Sequence, residues 1–427
     1  MLEEFKKIFF FPIASYFSFF AAIRLHRWHP KIVVVTGSSG KTTLLHLLES
    51  QIGKIAKYSH HANSSFGIPF DILELHRTSL QPSEWVSLIC SAPFAAFKNS
   101  PKEKIYIVEA DCDRPAEGKF LASLLKPQIV LWLNSFRTHS MHFDFLVANK
   151  SFTSVDEAIA YEYGFFLEYC TDYAIINGDL PLEKKQKTRT KAHIVEITKE
   201  EFLKQYIIDQ EKTMYTIKEQ QFSFNALLPE EIFYSIAMCQ EVLKQLSLPF
   251  DRSFAQFNLP PGRSTFFKGI KNTILIDSSY NANLSSTKAL LTMVKKLPAK
   301  TKWVVIGDML ELGEKEKEEH ELLAELLAKT HVAKIILFGP RTVTYTAQKL
   351  QRLAVDSETI VTFQSLRELD TYIHDHLNGG ETILFKGSQS MLLEGIIERL
   401  LKNKDDAQYL PRREKIWVER RSKLFRG

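Results

Sequence analysis

Residues 31–52 read Lys31-Ile-Val-Val-Val-Thr36-Gly37-Ser38-Ser39-Gly40-Lys41-Thr42-Thr43-Leu-Leu-His-Leu-Leu-Glu-Ser-Gln-Ile52. Ile32–Val35 is an unbroken apolar run, the pattern of a strand buried on both faces. Leu44, Leu45, Leu47, Leu48 and Ile52 then recur at helical spacing. Between strand and helix lies a loop with two glycines and a lysine, which is the context a phosphate loop requires. Glycines let backbone N–H groups approach phosphate oxygens, and the helix N-terminus adds positive potential. The sequence therefore places ATP phosphates on Gly37, Ser38, Ser39, Gly40, Lys41, Thr42 and Thr43, with Lys41 at the terminal phosphates and the Thr42 hydroxyl on Mg²⁺. The loop is shorter than G-x-x-x-x-G-K-[ST], because Val35 stands where that pattern has its first glycine. A chance Gly/Ser turn would not bring strand, loop, lysine and helix in this order.

Outward from this unit, short apolar runs at Ile105–Val108, Ile129–Leu133 and Tyr173–Ile176 alternate with helical patterns at Ala116–Leu125 and Val155–Tyr169. That alternation predicts a mostly parallel α/β sheet. Thr213–Phe224 reads as a small hairpin, Glu230–Gln245 as a helix and Leu259-Pro260-Pro261-Gly262 as a boundary turn. A second α/β series follows, with strands at Thr273–Ile276, Trp303–Ile306, Lys334–Phe338 and Thr382–Phe385. The predicted fold is α/β, a P-loop ATPase central domain plus a C-terminal Rossmann-like α/β domain. The expected boundaries are 1–30 for an N-terminal apolar and basic helix, 31–258 for the ATP-binding domain and 259–427 for the C-terminal domain.

The 427 residues suit two to three domains. With 45% apolar and 25% charged residues, the chain is neither disordered nor a multi-span membrane protein. A net charge of +5 gives no reason for a nucleic-acid partner. Cys90, Cys112, Cys170 and Cys239 form no C-x-x-C pair, which argues against a cysteine zinc site or a disulfide framework and for a reducing compartment. A cytoplasmic monomer is expected. Phe9–Ile23 is apolar and aromatic, flanked by Lys6, Lys7, Arg24, Arg27 and Trp28. It is short for a membrane span. Three readings stand: a helix packed on the body, an interfacial helix giving peripheral membrane contact through residues 1–30, or a true span.

Other polar clusters sit just past predicted strand ends, where open α/β sheets bind ligands. Glu109 ends one strand and is followed by Asp111 and Asp113. It is read as holding Mg²⁺ or orienting a nucleophile, against the plainer reading of a solvated acidic loop. His139 and His142 follow the next strand, and locally they read as surface residues. In the second series Arg263 precedes a strand that ends in Asp277, and Ser278–Asn283, the run Gly307–Gly313 and Lys386-Gly387-Ser388 lie past strand ends. Each alone is compatible with turn chemistry. Together they line one edge of a sheet.

The phosphate loop with these strings resembles the Mur ligase family, and within it the branch that adds D-alanyl-D-alanine to a UDP-linked muramoyl tripeptide. The resemblance runs in order from about Lys31 to Glu394. It includes Asn63-Ser-Ser-Phe-Gly67-Ile-Pro69, Asn134…His139, Asn177-Gly178-Asp179, Pro261-Gly262-Arg263, Tyr280-Asn281-Ala282-Asn283 and Gly307-Asp-Met-Leu-Glu-Leu-Gly313…His320. It implies an ATP-dependent, ADP-forming amide ligase working through an acyl phosphate. It also implies roles: Lys41 and the loop amides at the β/γ-phosphates, Thr42 and Glu109 on one Mg²⁺, and His139 on a second. Arg263 and Asp277 would contact nucleotide from the second domain. Asn63, Tyr280, Asn281, Asn283 and Lys386 would face the peptide or nucleotide-sugar-peptide acceptor and the amine donor.

Four departures bear on that reading. Only ~30 residues precede the first strand, where relatives carry a UDP-binding domain. The carbamylated lysine of relatives aligns with Tyr163, with Glu162 beside it, and Glu162 is expected to supply the missing carboxylate to the metal. A Gly-x-His-Asn string near the adenine pocket reads Leu228-Pro229-Glu230-Glu231. A Lys-Gly-Ser-Arg string reads Lys386-Gly387-Ser388-Gln389. The alternative is a non-catalytic Mur-like protein that binds ATP and acts as a partner or scaffold.

Overall fold

The computed structural model describes residues 2–60, 62–77 and 82–426, with the side chains of 2–8, 82 and 426 left outside it. It divides into two compact units. The first comprises residues 1–136, 142–202 and 234–257, and the second comprises 137–141, 203–233 and 258–427. This division differs from the sequence expectation in three places. The N-terminal helix belongs to the first unit instead of standing apart, and 203–233 and the short segment 137–141 group with the second.

The first unit is built on a six-stranded sheet of β1 (Lys31–Thr36), β2 (Ala56–Tyr58), β3 (Ile105–Ala110), β4 (Ile129–Trp132), β5 (Tyr173–Asn177) and β6 (His193–Ile197). The order is β2-β3-β1-β4-β5-β6, and every pairing is parallel. Val33, Val34 and Val35 are fully buried, as their unbroken apolar run requires of a strand with neighbours on both sides. In register, Val35 lies opposite Glu109, so β1 and β3 deliver the phosphate loop and the acidic loop to the same sheet edge.

The N-terminal helix Leu2–Trp28 is docked on this unit. Phe17, Ala21, Leu25 and Trp28 enter the same core as Ile68, Phe70 and Ala92. Arg24, read from sequence as a basic flank, is buried instead. Its guanidinium donates to the carbonyls of Leu73 (3.0 Å), Ala95 (3.3 Å) and Asn99 (3.3 Å) and pairs with Glu74 at 3.0 Å. The reading as a helix packed on the body therefore holds for the described part. By length and composition, Phe9–Trp28 could also cross a membrane.

The second unit contains a three-stranded antiparallel sheet, β7 (Leu203–Ile208), β8 (Thr213–Ile217) and β9 (Gln220–Phe224), in which β8 and β9 are the expected hairpin. Its main sheet consists of β10 (Thr265–Lys268), β11 (Ile274–Ser278), β12 (Lys302–Gly307), β13 (Lys334–Phe338), β14 (Ile360–Phe363) and β15 (Thr382–Lys386). The order is β10-β11-β15-β12-β13-β14, with β10 antiparallel and the rest parallel. The last strand enters between β11 and β12, which puts the ends of all three side by side: Ser278 and Ile306 both pair with Lys386.

Candidate active site

In the first unit the loop Gly37–Gly40 is tied to Asn134, just past the end of β4. Gly37 has φ of 133°, and a Cβ there would come 2.8 Å from the Asn134 carbonyl oxygen, so only glycine fits. Ser38 N–H donates to that carbonyl at 3.1 Å, and Ser39 N–H donates to Asn134 Oδ1 at 3.0 Å. The Asn134 amide returns a bond to the Ser39 carbonyl at 3.1 Å. Gly40, at φ 85°, turns the chain into the helix Lys41–Ile52.

Lys41 is buried, and its ammonium lies 2.7 Å from Asp111 Oδ2 while also donating to the Gly37 carbonyl. Burial works against the charged form, but Asp111 and Glu109 outweigh it and the Lys41 pKa is raised. Thr42 Oγ1 donates to Glu109 Oε2 at 3.0 Å. Ser59, just past β2, accepts from the Glu109 N–H at 2.9 Å. The Asp111 N–H donates to the Asn63 carbonyl at 2.9 Å, and the Tyr163 hydroxyl donates to Asp111 Oδ1 at 2.6 Å. Thus Lys41, Thr42 and Glu109 converge as the sequence predicts. Ser59 and the linkage Lys41–Asp111–Tyr163 went unread. Tyr163 carried one signal, its alignment with the lysine slot.

Glu162 is not with them. Its carboxylate accepts from the N–H groups of Ala116 (2.9 Å) and Gly118 (3.1 Å), at the N-terminus of the helix Glu117–Leu125. The expectation of a metal-ligating Glu162 is therefore corrected: neighbouring helix positions point about 100° apart, and Tyr163 takes the inward direction. Burial raises the Glu162 pKa against the lowering effect of those amides. Glu162→Gln should behave as a structural change. One of the two amides would then face an NH₂ group, costing about 1–3 kcal/mol. A lower melting temperature with unchanged turnover per folded molecule is expected, and lost turnover at full stability would return Glu162 to the metal.

The donor chemistry here fits Mg²⁺ and a polyphosphate. Thr42 and Glu109 offer hard oxygen ligands, and the loop leads through Gly40 into a helix N-terminus that carries the buried Lys41.

In the second unit, Asp277 is fully buried at the end of β11, and burial pushes its carboxyl up to about 6. Oδ1 accepts from the Ser279 N–H at 2.9 Å, whereas Oδ2 is buried with no hydrogen-bond partner. An orphaned oxygen of this kind is a place for a ligand donor. Lys386, at the end of β15, donates to the Asn281 carbonyl, and burial lowers its pKa to about 7. The Arg263 guanidinium lies over the exposed Tyr280 ring, 4.6 Å from its centroid.

Asn283 was expected at a substrate, but its side chain accepts from the Ser286 N–H at 2.8 Å and caps the helix Leu284–Lys296. His320 is likewise structural, buried between Thr346 Oγ1 and the Met309 carbonyl at 3.2 Å each. His139 Nδ1 pairs with Glu311, and Ser140 Oγ donates to the Leu312 carbonyl at 3.0 Å. Sequence reasoning also missed Arg412, which donates to the carbonyls of Ser279 (2.9 Å) and Tyr280 (3.1 Å) from 133 and 132 positions away.

Residues 262–389 match the family described as Mur ligase, glutamate ligase domain. A Rickettsia prowazekii protein named UDP-N-acetylmuramoyl-tripeptide–D-alanyl-D-alanine ligase is 33% identical over 144 residues, which is 34% of this chain and 31% of that protein. A protein of the same name from Buchnera aphidicola is 23% identical over 390 residues, covering 87% of this chain and 77% of its own length. The crystal structure of MurF ligase from Thermotoga maritima in complex with ADP has the same fold, with a TM-score of 0.72 at 20% identity over 90% of this chain and 82% of that one.

Proposed function

We propose that this chain, which carries a Mur ligase C-terminal domain, is an ATP-dependent, ADP-forming amide ligase that joins D-alanyl-D-alanine or a similar amine to a muramoyl-peptide-like acceptor. The observation that carries the reading is the Thr42–Glu109 pair beside the buried Lys41–Asp111 pair at one sheet edge. The relatives named above, acting by name on the muramoyl tripeptide and D-alanyl-D-alanine, support it.

An acceptor carboxylate attacks the γ-phosphorus of ATP, releasing ADP and forming an acyl phosphate. The amine then adds to the acyl carbon, phosphate leaves, and an amide remains. Both steps bring anions together, so screening cations decide the rate. Lys41 exchanges Asp111 for a phosphate oxygen, and Asp111 keeps the Tyr163 hydroxyl as its donor. Thr42 and Glu109 would hold Mg²⁺, which would offset phosphate charge. His139 is assigned to a second Mg²⁺. A carboxylate on Nδ1 orients a ligating imidazole through Nε2, and Glu311 stands in that place. Arg263 and Asp277 are assigned to the nucleotide, and Asn63, Tyr280, Asn281 and Lys386 to acceptor and amine. Incubation with ATP, Mg²⁺, UDP-linked muramoyl tripeptide and D-alanyl-D-alanine should yield ADP and a product heavier by the dipeptide less water. ATP binding without either product would favour the non-catalytic reading.

We also assign the enzyme to the cytoplasm, with peripheral contact to anionic lipid. On the helix Pro82–Ala96 and just beyond it, Phe94 (77% exposed) and Phe97 (65%) face solvent, with the Arg27 guanidinium 5.6 Å from the Phe97 ring. Phe19 is 63% exposed on the N-terminal helix. Aromatic side chains beside basic ones suit the headgroup boundary. The chain should co-sediment with anionic vesicles at low salt, and the F94S/F97S protein should not. A wild-type chain that stays in the supernatant would overturn this assignment.

A further inference from the structure

On the outer face of the helix Lys41–Ile52, His46 and Glu49 lie one turn apart, and His60 follows β2. Helical positions i and i+3 share a face, which brings both side chains to the same side as His60. Glu49 Oε2 is 3.1 Å from His60 Nε2 and 3.8 Å from His46 Nδ1. The two imidazole centroids are 5.2 Å apart, and the Tyr58 ring stacks on His60 at 5.9 Å with an interplanar angle of 27°. One donor atom from each of the three residues lies within 4.8 Å of the others.

We propose that His46, Glu49 and His60 form a binding site for a divalent transition metal of the zinc type, separate from the Mg²⁺ oxygen ligands Thr42 and Glu109. Two imidazole nitrogens and one carboxylate oxygen are a donor set that zinc takes in three-ligand sites, leaving a fourth position to water. Hard cations prefer all-oxygen surroundings, so Mg²⁺ and Ca²⁺ are poor occupants. Around a zinc at its usual bond length the ligand atoms stand ~3.3 Å apart. The present spacing closes to that by small side-chain rotations, which the partial exposure of 27%, 40% and 34% permits. A plain ion pair would use Glu49 with one histidine and has no need of the second.

Bound metal would staple the helix carrying Lys41 and Thr42 to the segment that carries Ser59, whose hydroxyl accepts from the Glu109 N–H. Histidines at 46 and 60 with a glutamate at 49 make no recognised sequence spacing, which is why the site is visible only in three dimensions.

The test uses the full chain, stripped with a chelator and then titrated with Zn²⁺ in saturating Mg²⁺. One equivalent of Zn²⁺ is expected to bind. The H46A and H60A proteins should each bind it at least tenfold more weakly, and the double variant not at all above background. Co²⁺ bound to the unmutated chain should give the intense visible absorption of tetrahedral coordination, a reading that needs no variant to fold. Equal Zn²⁺ uptake by wild type and double variant, no uptake by wild type, or an octahedral Co²⁺ spectrum would overturn the site. None of these readings depends on ligase activity, so failure here leaves the proposed function standing, and the reverse.

Discussion

Lys41→Ala is expected to abolish ADP formation, with a loss of at least about 10²–10³ in rate, the usual effect of removing one preorganised charge from a reacting oxyanion. Two consequences follow from the structure. The ammonium that meets the transferring phosphate is gone, and Asp111 and Glu109 lose the cation that holds them together. Asp111 retains the Tyr163 hydroxyl at 2.6 Å, so the carboxylate is still hydrogen-bonded and the unit should fold. Phosphates would then meet two uncompensated carboxylates, and ATP affinity should fall along with turnover. Unchanged ADP release by a folded Lys41→Ala protein would remove the phosphate-loop assignment and the reaction built on it.

The phosphate loop was legible because its signals are local: a buried strand, two glycines, a lysine and a helix all fall within 22 consecutive residues. Glu109 was legible because it stands at a strand's end. Directions of side chains were not. Glu162 and Tyr163 are adjacent in sequence, and only helix rotation against the sheet decides that the tyrosine reaches Asp111 while the glutamate caps a neighbouring helix. Asn283 misled for a related reason, since a polar residue just past a strand end is as good a helix cap as a substrate ligand. The antiparallel β10 and the third sheet strand β7 escaped because short half-exposed strands have weak alternation. The N-terminal helix shows the same limit, because a buried Arg24 and an interfacial arginine have one sequence signature.

The largest stability effect is expected at Glu394, whose partners Arg412 and Arg421 come from the basic C-terminal segment and are buried with it. Glu394 is fully buried, and Oε1 accepts from Arg412 Nε and Arg421 Nη1 at 2.9 Å each, while Oε2 accepts from Arg412 Nη2. Arg421 lies on the C-terminal helix Lys415–Arg426 and also donates to the Arg412 carbonyl at 2.9 Å. Glu394→Ala would leave two buried guanidinium groups without their carboxylate, costing about 3–5 kcal/mol, or a melting-temperature drop of roughly 10 °C for a unit of this size. Replacing all three by apolar residues of similar volume should cost far less, because buried ion pairs give little net stability over well-packed hydrophobic groups. The two variants separate folding from positioning. Arg412 also holds the Ser279 and Tyr280 carbonyls, next to Asp277. The apolar triple variant should therefore regain stability yet lose turnover, with KM for the nucleotide or acceptor raised more than kcat is lowered. If the triple variant is both stable and fully active, Arg412 acts only in folding, and the loop from Asp277 to Asn283 is fixed by its own turns.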